Sequence, residues 1–132
     1  MSEIRYLTAL EIYVINEQVI GHRPLIRDRH LLRSAASRPM THVFGQDAYP
    51  TLMDKAAALL HSLAAHHLFS DGNKRTATIA VTQFLEANGI QPDWTEEDIR
   101  EFVLQIAQHR HEVGAVAAWL TAHSIRDDET TT

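Results

Sequence analysis

Apolar positions along this chain recur at helical rather than alternating spacing, so the sequence reads as helical throughout. Thr8 with Glu11 has the form of a capping box, which opens a first helix running to about Ile20 and stopping at Gly21. Asp28 caps a short helix through about Ala36, and Pro39 blocks its continuation. Residues 38 to 48, "RPMTHVFGQDA", carry Pro, Gly and a short β-prone stretch from Thr41 to Phe44; the expectation is an exposed flap. A third helix follows Pro50 and is predicted to reach about His67. A fourth starts near Asn73 and stops at Asn88-Gly89. Thr95 with Asp98 caps a fifth, to about Gln108, and a sixth runs from about Glu112 to His123. The predicted architecture is therefore an all-α bundle of about six helices with one short flap. With no repeat and no long linker, residues 1 to 125 read as a single domain, and 126 to 132, "RDDETTT", as a loose polar tail.

Two apolar stripes place the chemistry. Leu52, Ala56, Leu59, Leu60 and Leu63 share one face of the third helix, and His67 follows Leu63 at helical spacing. The fourth helix has its own stripe, Ala77, Ala80, Val81, Phe84 and Leu85. Between them stands "HHLFSDGNKRTA", His66 to Ala77. Asp71 and Gly72 make the turn, and Asn73, Lys74 and Arg75 occupy the first turn of the fourth helix. The leading N–H groups of a helix lack internal partners and its N-terminal end is positive, so it attracts anions. Lys74 and Arg75 stand where Asp or Glu would suit the dipole, and a bound phosphate would compensate. Each residue also has a structural use: His67 can bond the preceding helix end, Asp71 can cap, Gly72 can supply a positive φ, and Asn73 can close the turn. Phe69 serves as a core anchor in either case. Those uses leave the two cations at the positive helix end unexplained.

Composition narrows the function. A net charge of −5 argues against a nucleic-acid binder. The chain has no cysteine, which removes disulfides and thiolate zinc sites and suits a reducing compartment. No apolar run nears the ~18 residues that cross a bilayer, and the N-terminus lacks the pattern of a secretory signal. A cytoplasmic location is expected.

"HLFSDGNKR", His67 to Arg75, resembles the signature of the Fic/Doc superfamily, His-x-Phe-x-Asp/Glu-Gly/Ala-Asn-x-Arg, and with Lys before Arg and Thr-Ala after it looks like the death-on-curing (Doc) toxin branch. Seven fixed positions match by chance on the order of once in 10⁹ windows, so the motif is specific. "RDRHLLRSAASRP" (27 to 39), "FGQDAYPTLMDKAAALLHSL" (44 to 63) and "FLEANG" (84 to 89) extend the resemblance. It implies a Fic-type fold and transfer of part of ATP to a protein hydroxyl. In the same terms His67 would be the catalytic base, Asp71 would hold Mg²⁺, and Asn73 would orient phosphate and loop. Gly72, Asn73, Lys74 and Arg75 would bind nucleotide phosphate, with Lys74 and Arg75 also acting in catalysis.

Two departures select among family activities. Adenylyl-transferring relatives have glycine at the position of Lys74 and a second arginine at that of Thr78. The Doc-type pattern implies transfer of the γ-phosphoryl group, with elongation factor Tu as the expected target. Adenylyl transfer and an inactive binding module on the same fold are the alternatives. Leu68 replaces a common proline without evident consequence. The family's self-inhibitory helix carries Glu followed by Gly or Asn, and no glutamate here is so followed. Restraint would then come from a separate, Phd-like antitoxin whose disordered segment folds on binding.

Overall fold

A computed structural model describes residues 3–126. Helix α1, Ala9–Ile20, starts with a reciprocal box: the Glu11 N–H donates to Thr8 Oγ1 at 3.1 Å, and the Thr8 N–H to Glu11 Oε1 at 2.9 Å. It ends at Gly21, whose φ of +79° is the left-handed conformation of a helix stop. Helix α2, Arg29–Ser37, is capped by Asp28, whose Oδ1 accepts the Leu31 N–H at 3.0 Å. A 3₁₀ turn, Arg38–Met40, leads into a hairpin of β1, His42–Val43, and β2, Gln46–Asp47. Phe44 and Gly45 between them both have positive φ, +53° and +77°, as a tight two-residue hairpin turn requires. Helices α3, Leu52–Ala65, and α5, Glu96–Ala107, repeat the capping box with Thr51/Asp54 and Thr95/Asp98. Helix α4 spans Asn73–Ala87 and α6 spans Val113–Ala122. The described residues thus form six α-helices, and the fold is all-α.

Helix α3 is the centre. It packs against α2, α4, α5 and α6, and its alanines, Ala56, Ala57, Ala58, Ala64 and Ala65, are all buried. Small side chains let the surrounding helices come close, and a helix apolar nearly all round belongs in a core. Leu59, Leu60 and Leu63 fill the remaining space with Phe84, Leu85, Ile106 and Leu120. The predicted stripe of α4, Ala77, Ala80, Val81, Phe84 and Leu85, is wholly buried. No helix among the described residues is long and apolar enough to cross a membrane.

Three features differ from the pattern-based expectation. Helix α3 stops at Ala65, so His67 is not in its last turn. His66 is extended (φ −124°, ψ 156°) because the next residues pair with the α1–α2 loop. The N–H groups of Arg27 and Ser70 donate to the carbonyls of Leu68 and Leu25 at 2.7 and 2.9 Å, bringing Ile26 opposite Phe69. That pairing buries Leu68 and Phe69, both 1% exposed, and outweighs a further turn of helix. The second feature is an antiparallel ribbon of β3, Ile90–Pro92, and β4, Ser124–Arg126, in a chain expected to be helical throughout. Third, Arg126, assigned to the polar tail, pairs with Ile90 in that ribbon; the rest of that tail lies outside the described residues.

Candidate functional site around the α3–α4 loop

The segment from His66 to Arg75 is an anchored loop with an exposed rim. Leu68 and Phe69 point into the core, while His67, Asp71, Lys74 and Arg75 are exposed. The anchor also carries the positioning: Asn73 Oδ1 accepts the Phe69 N–H at 3.0 Å, and its Nδ2 donates to the Phe69 carbonyl at 2.8 Å. This two-way clamp spends both ends of the Asn73 amide on the loop. The clamp shapes the loop, and the amide keeps a second N–H and a second oxygen lone pair.

Gly72 is the N-cap of α4 and has φ +76°. A Cβ there would lie 2.8 Å from Ile20 Cγ2, 3.0 Å from Val19 Cγ1 and 3.2 Å from Asn16 Nδ2. Glycine is therefore required twice, by backbone conformation and by the approach of α1. Asp71 does not cap the helix. Its Oδ1 accepts the N–H of Gly72 at 2.8 Å, and among the described residues no side chain caps α4. The leading N–H groups of α4 are thereby left to solvent or an anion.

Lys74 and Arg75 follow on the first turn of α4. Among the described residues neither side chain makes an ion pair or a hydrogen bond. Both line a groove of 740 Å³ between α4 and α5. His67 likewise has no hydrogen bond to its ring among the described residues. The loop thus gathers His67, Asp71, Gly72, Asn73, Lys74 and Arg75 within one turn and one helix start, without side-chain bonds linking the four exposed ones to each other.

Several polar residues that hold the loop or the flap were not singled out from sequence. Asn16 of α1 is fully buried, and its Nδ2 reaches the Asp71 carbonyl and Thr76 Oγ1 at 2.9 and 3.0 Å. Its position between Ile12, Ile15 and Val19 on the inner face of α1 was the available signal. Lys55 of α3 is 2% exposed; its ammonium donates to the Tyr49 carbonyl and lies 3.4 Å from Asp47 Oδ2. Asp47 Oδ1 in turn meets His42 Nε2 at 2.9 Å across the hairpin. The flap is therefore tied at its root to a buried cation, while its tip, Phe44, is fully exposed. Arg38 donates from Nε to the Tyr49 hydroxyl and from Nη1 to Ser62 Oγ, both at 2.9 Å. Nη1 also lies 3.3 Å from His61 Nδ1. Burial and then the Arg38 guanidinium hold the His61 pKa below its ordinary value, against a smaller opposing pull from Glu112.

Fold and loop together define a helical bundle in which an exposed histidine and carboxylate precede a helix start that no side chain caps among the described residues. The model of the Fic/DOC family matches residues 6–85. The chain is 39% identical over 117 residues to "Toxin Doc" of Mycolicibacterium smegmatis (strain ATCC 700084 / mc(2)155), covering 87% of this chain and 90% of that protein. The chain belongs to the Fic/DOC family.

The donor set bears on Mg²⁺. Among the described residues no three His, Cys, Asp or Glu side chains group into a metal cage. A single exposed carboxylate fits this ion nonetheless, because Mg²⁺ is commonly held by one or two carboxylates, substrate phosphates and water. Asp71 has one oxygen bonded to Gly72 and the other without a hydrogen bond among the described residues.

Proposed function

We propose that this chain is the toxin of a toxin–antitoxin pair and acts in the cytoplasm as a protein kinase. It would transfer the γ-phosphoryl group of ATP to a hydroxyl of a translation factor, with elongation factor Tu the leading candidate. The observation that carries the proposal is the exposed set His67, Asp71, Lys74 and Arg75 around the uncapped start of α4. The likeness to a relative named "Toxin Doc" supports the toxin role.

The residues divide the work as follows. The uncapped N–H groups of α4 with Lys74 and Arg75 bind the phosphates and offset their charge. Asp71 would hold Mg²⁺, which would supply charge neutralisation at the phosphate oxygens. His67 accepts the proton of the target hydroxyl as its oxygen bonds to the γ-phosphorus. The bond from that phosphorus to the β–γ bridging oxygen breaks, and ADP leaves with the electron pair. Gly72 and Asn73 fix the loop in which these groups sit. The open edge of the flap offers backbone groups to an extended target segment.

A separate antitoxin restrains the enzyme, in keeping with the likeness to "Toxin Doc". Exposed apolar side chains occur on both α1 (Leu10, Val14) and the flap (Val43, Phe44), which suits a Phd-like segment that folds as a helix between them.

Intact-mass measurement of a purified target after incubation with Mg²⁺ and ATP tests the activity. One added phosphate is expected, and a His67→Ala variant should transfer at least ~10²-fold more slowly. An added AMP selects adenylyl transfer. No added mass, together with harmless expression in bacteria lacking an antitoxin, selects an inactive binding module.

A further inference from the structure

We infer that Lys55 is a positioning residue for the protein target: from inside α3 it holds the flap in the place where the flap's open edge meets the target segment. The inference rests on the reading that the flap receives the target. Residues 40 to 48 are all exposed, so the hairpin has no side chain in the core to fix its position. A ribbon of two residues per strand does not hold itself in place either. Its position is therefore set by the polar ties at its base.

Lys55 is the centre of those ties. It is the only charged side chain buried among the described residues, at 2% exposed. Its ammonium donates to the Tyr49 carbonyl, where the chain leaves the flap, and to Asp47 Oδ2 in β2 at 3.4 Å. Asp47 Oδ1 meets His42 Nε2 on the opposite strand at 2.9 Å. One buried cation thus reaches both strands through one carboxylate. Arg38 steadies the same base: its Nε donates to the Tyr49 hydroxyl at 2.9 Å, and its guanidinium carbon lies 5.5 Å from the centre of the Tyr49 ring. The main chain closes the neck of the hairpin with the Ala48 N–H donating to the Thr41 carbonyl at 2.8 Å.

Stability alone does not account for Lys55. Burying an ammonium carries a desolvation cost, and an apolar side chain of similar volume is often as stable or more so. An apolar side chain would pack without specifying a direction, whereas the ammonium fixes where the Asp47 carboxylate and the Tyr49 carbonyl stand. That placement matters at the flap. A cleft of 440 Å³ is lined by Arg38 and Thr41, at the start of the flap, and by His66, the neighbour of His67. The flap root therefore stands beside the site loop. The two strands pair only with each other among the described residues, so each outer edge keeps backbone groups free for an extended segment.

Steady-state transfer to purified elongation factor Tu by wild type, Lys55→Met and Asp47→Asn tests the role. In both variants KM for the target should rise by about tenfold, while kcat and KM for MgATP stay within about twofold of wild type. The double variant should be no worse than either single one, because both changes break the same tie. Asp47→Glu, which keeps the carboxylate, should restore KM for the target to within about threefold of wild type. Target KM unchanged in Asp47→Asn, an exposed position, overturns the inference even if Lys55→Met fails to fold. A proportional loss in kcat and in both KM values overturns it as well, since that is the signature of a merely structural role. Hydrogen exchange gives a readout that needs no transfer: peptides from residues 41 to 49 should exchange faster in both variants, with α4 unchanged. If wild type transfers nothing to the target, the kinase reading fails and the docking role goes with it. Transfer by wild type with equal flap exchange in all proteins overturns the positioning role alone.

Discussion

The side-chain amide of Asn16, inside α1, donates to the main-chain carbonyl of Asp71 at 2.9 Å. The same nitrogen reaches Thr76 Oγ1 at 3.0 Å, so one buried group joins the first helix to both sides of the α4 start. Its Oδ1 has no partner among the described residues. Asn16→Ala should destabilise the fold by ~1–3 kcal/mol, because it leaves the Asp71 carbonyl and the Thr76 hydroxyl without this donor. Asn16→Asp should be worse at neutral pH, since it faces the carbonyl with a second oxygen and buries a charge. Urea unfolding of the three proteins provides the comparison. Equal stability of wild type and Asn16→Ala would remove Asn16 from any role in holding the loop.

Gly72 yields a second prediction, with a built-in control. Gly72→Ala combines a left-handed φ with a Cβ placed 2.8 Å from Ile20 Cγ2. A destabilisation of about 1–3 kcal/mol is expected from strain and overpacking. Adding Ile20→Ala removes the nearest clash and should recover part of the deficit relative to Ile20→Ala alone. It cannot recover all of it, because φ +76° and the Val19 contact persist. A double-mutant cycle on thermal or urea unfolding measures the coupling, and a zero coupling energy would contradict the close approach.

His61 gives the fold a pH dependence whose sign can be worked out. Burial and Arg38 lower its pKa in the folded state from 6.5, so below that pH the unfolded chain takes up a proton that the folded chain resists. Stability contributed at this site is therefore full above about pH 6.5 and falls as pH drops through the unfolded value toward the folded one. His61→Gln should flatten the stability-versus-pH curve in that acid window and leave it little changed near pH 8. The check is urea midpoints across the range; identical slopes in both proteins would show that His61 is not the titrating group.

Helix number and most boundaries were legible because the caps are local. Thr8/Glu11, Asp28 and Thr95/Asp98 each act within a few residues, so sequence spacing alone finds them. The loop residues were legible for a related reason: they are contiguous, so one motif carries all six. What escaped depends on partners distant in sequence. The extended conformation of His66 follows from pairing between residues 25–27 and 68–70, and the β3–β4 ribbon joins Ile90 to Arg126. Asn16, Lys55 and Arg38 are ordinary polar residues until the fold brings them to Asp71 and Thr76, to Tyr49 and Asp47, and to Tyr49 and Ser62. The role of Asn73 shows both sides. Its presence was legible from the motif, but its clamp on Phe69 becomes visible only with the backbone of the loop in place.

The final prediction separates binding from stability at the start of α4. Lys74 and Arg75 are exposed, have no ion-pair partner among the described residues, and lie at the positive end of the helix dipole. Nothing among the described residues repays their placement there, so neutralising them should not destabilise the fold. Arg75→Ala should leave the urea midpoint unchanged or slightly raised. Lys74→Glu, which suits the dipole, should raise stability by roughly 0.3–1 kcal/mol at low salt, and the gain should shrink as salt screens it. Both changes should weaken MgATP binding, Lys74→Glu the more, because it turns an attraction for phosphate into a repulsion. A phosphate-binding role requires opposite movements of stability and affinity for Lys74→Glu. If stability falls together with affinity in both variants, the cations are structural, and the anion site at the head of α4 must be assigned elsewhere.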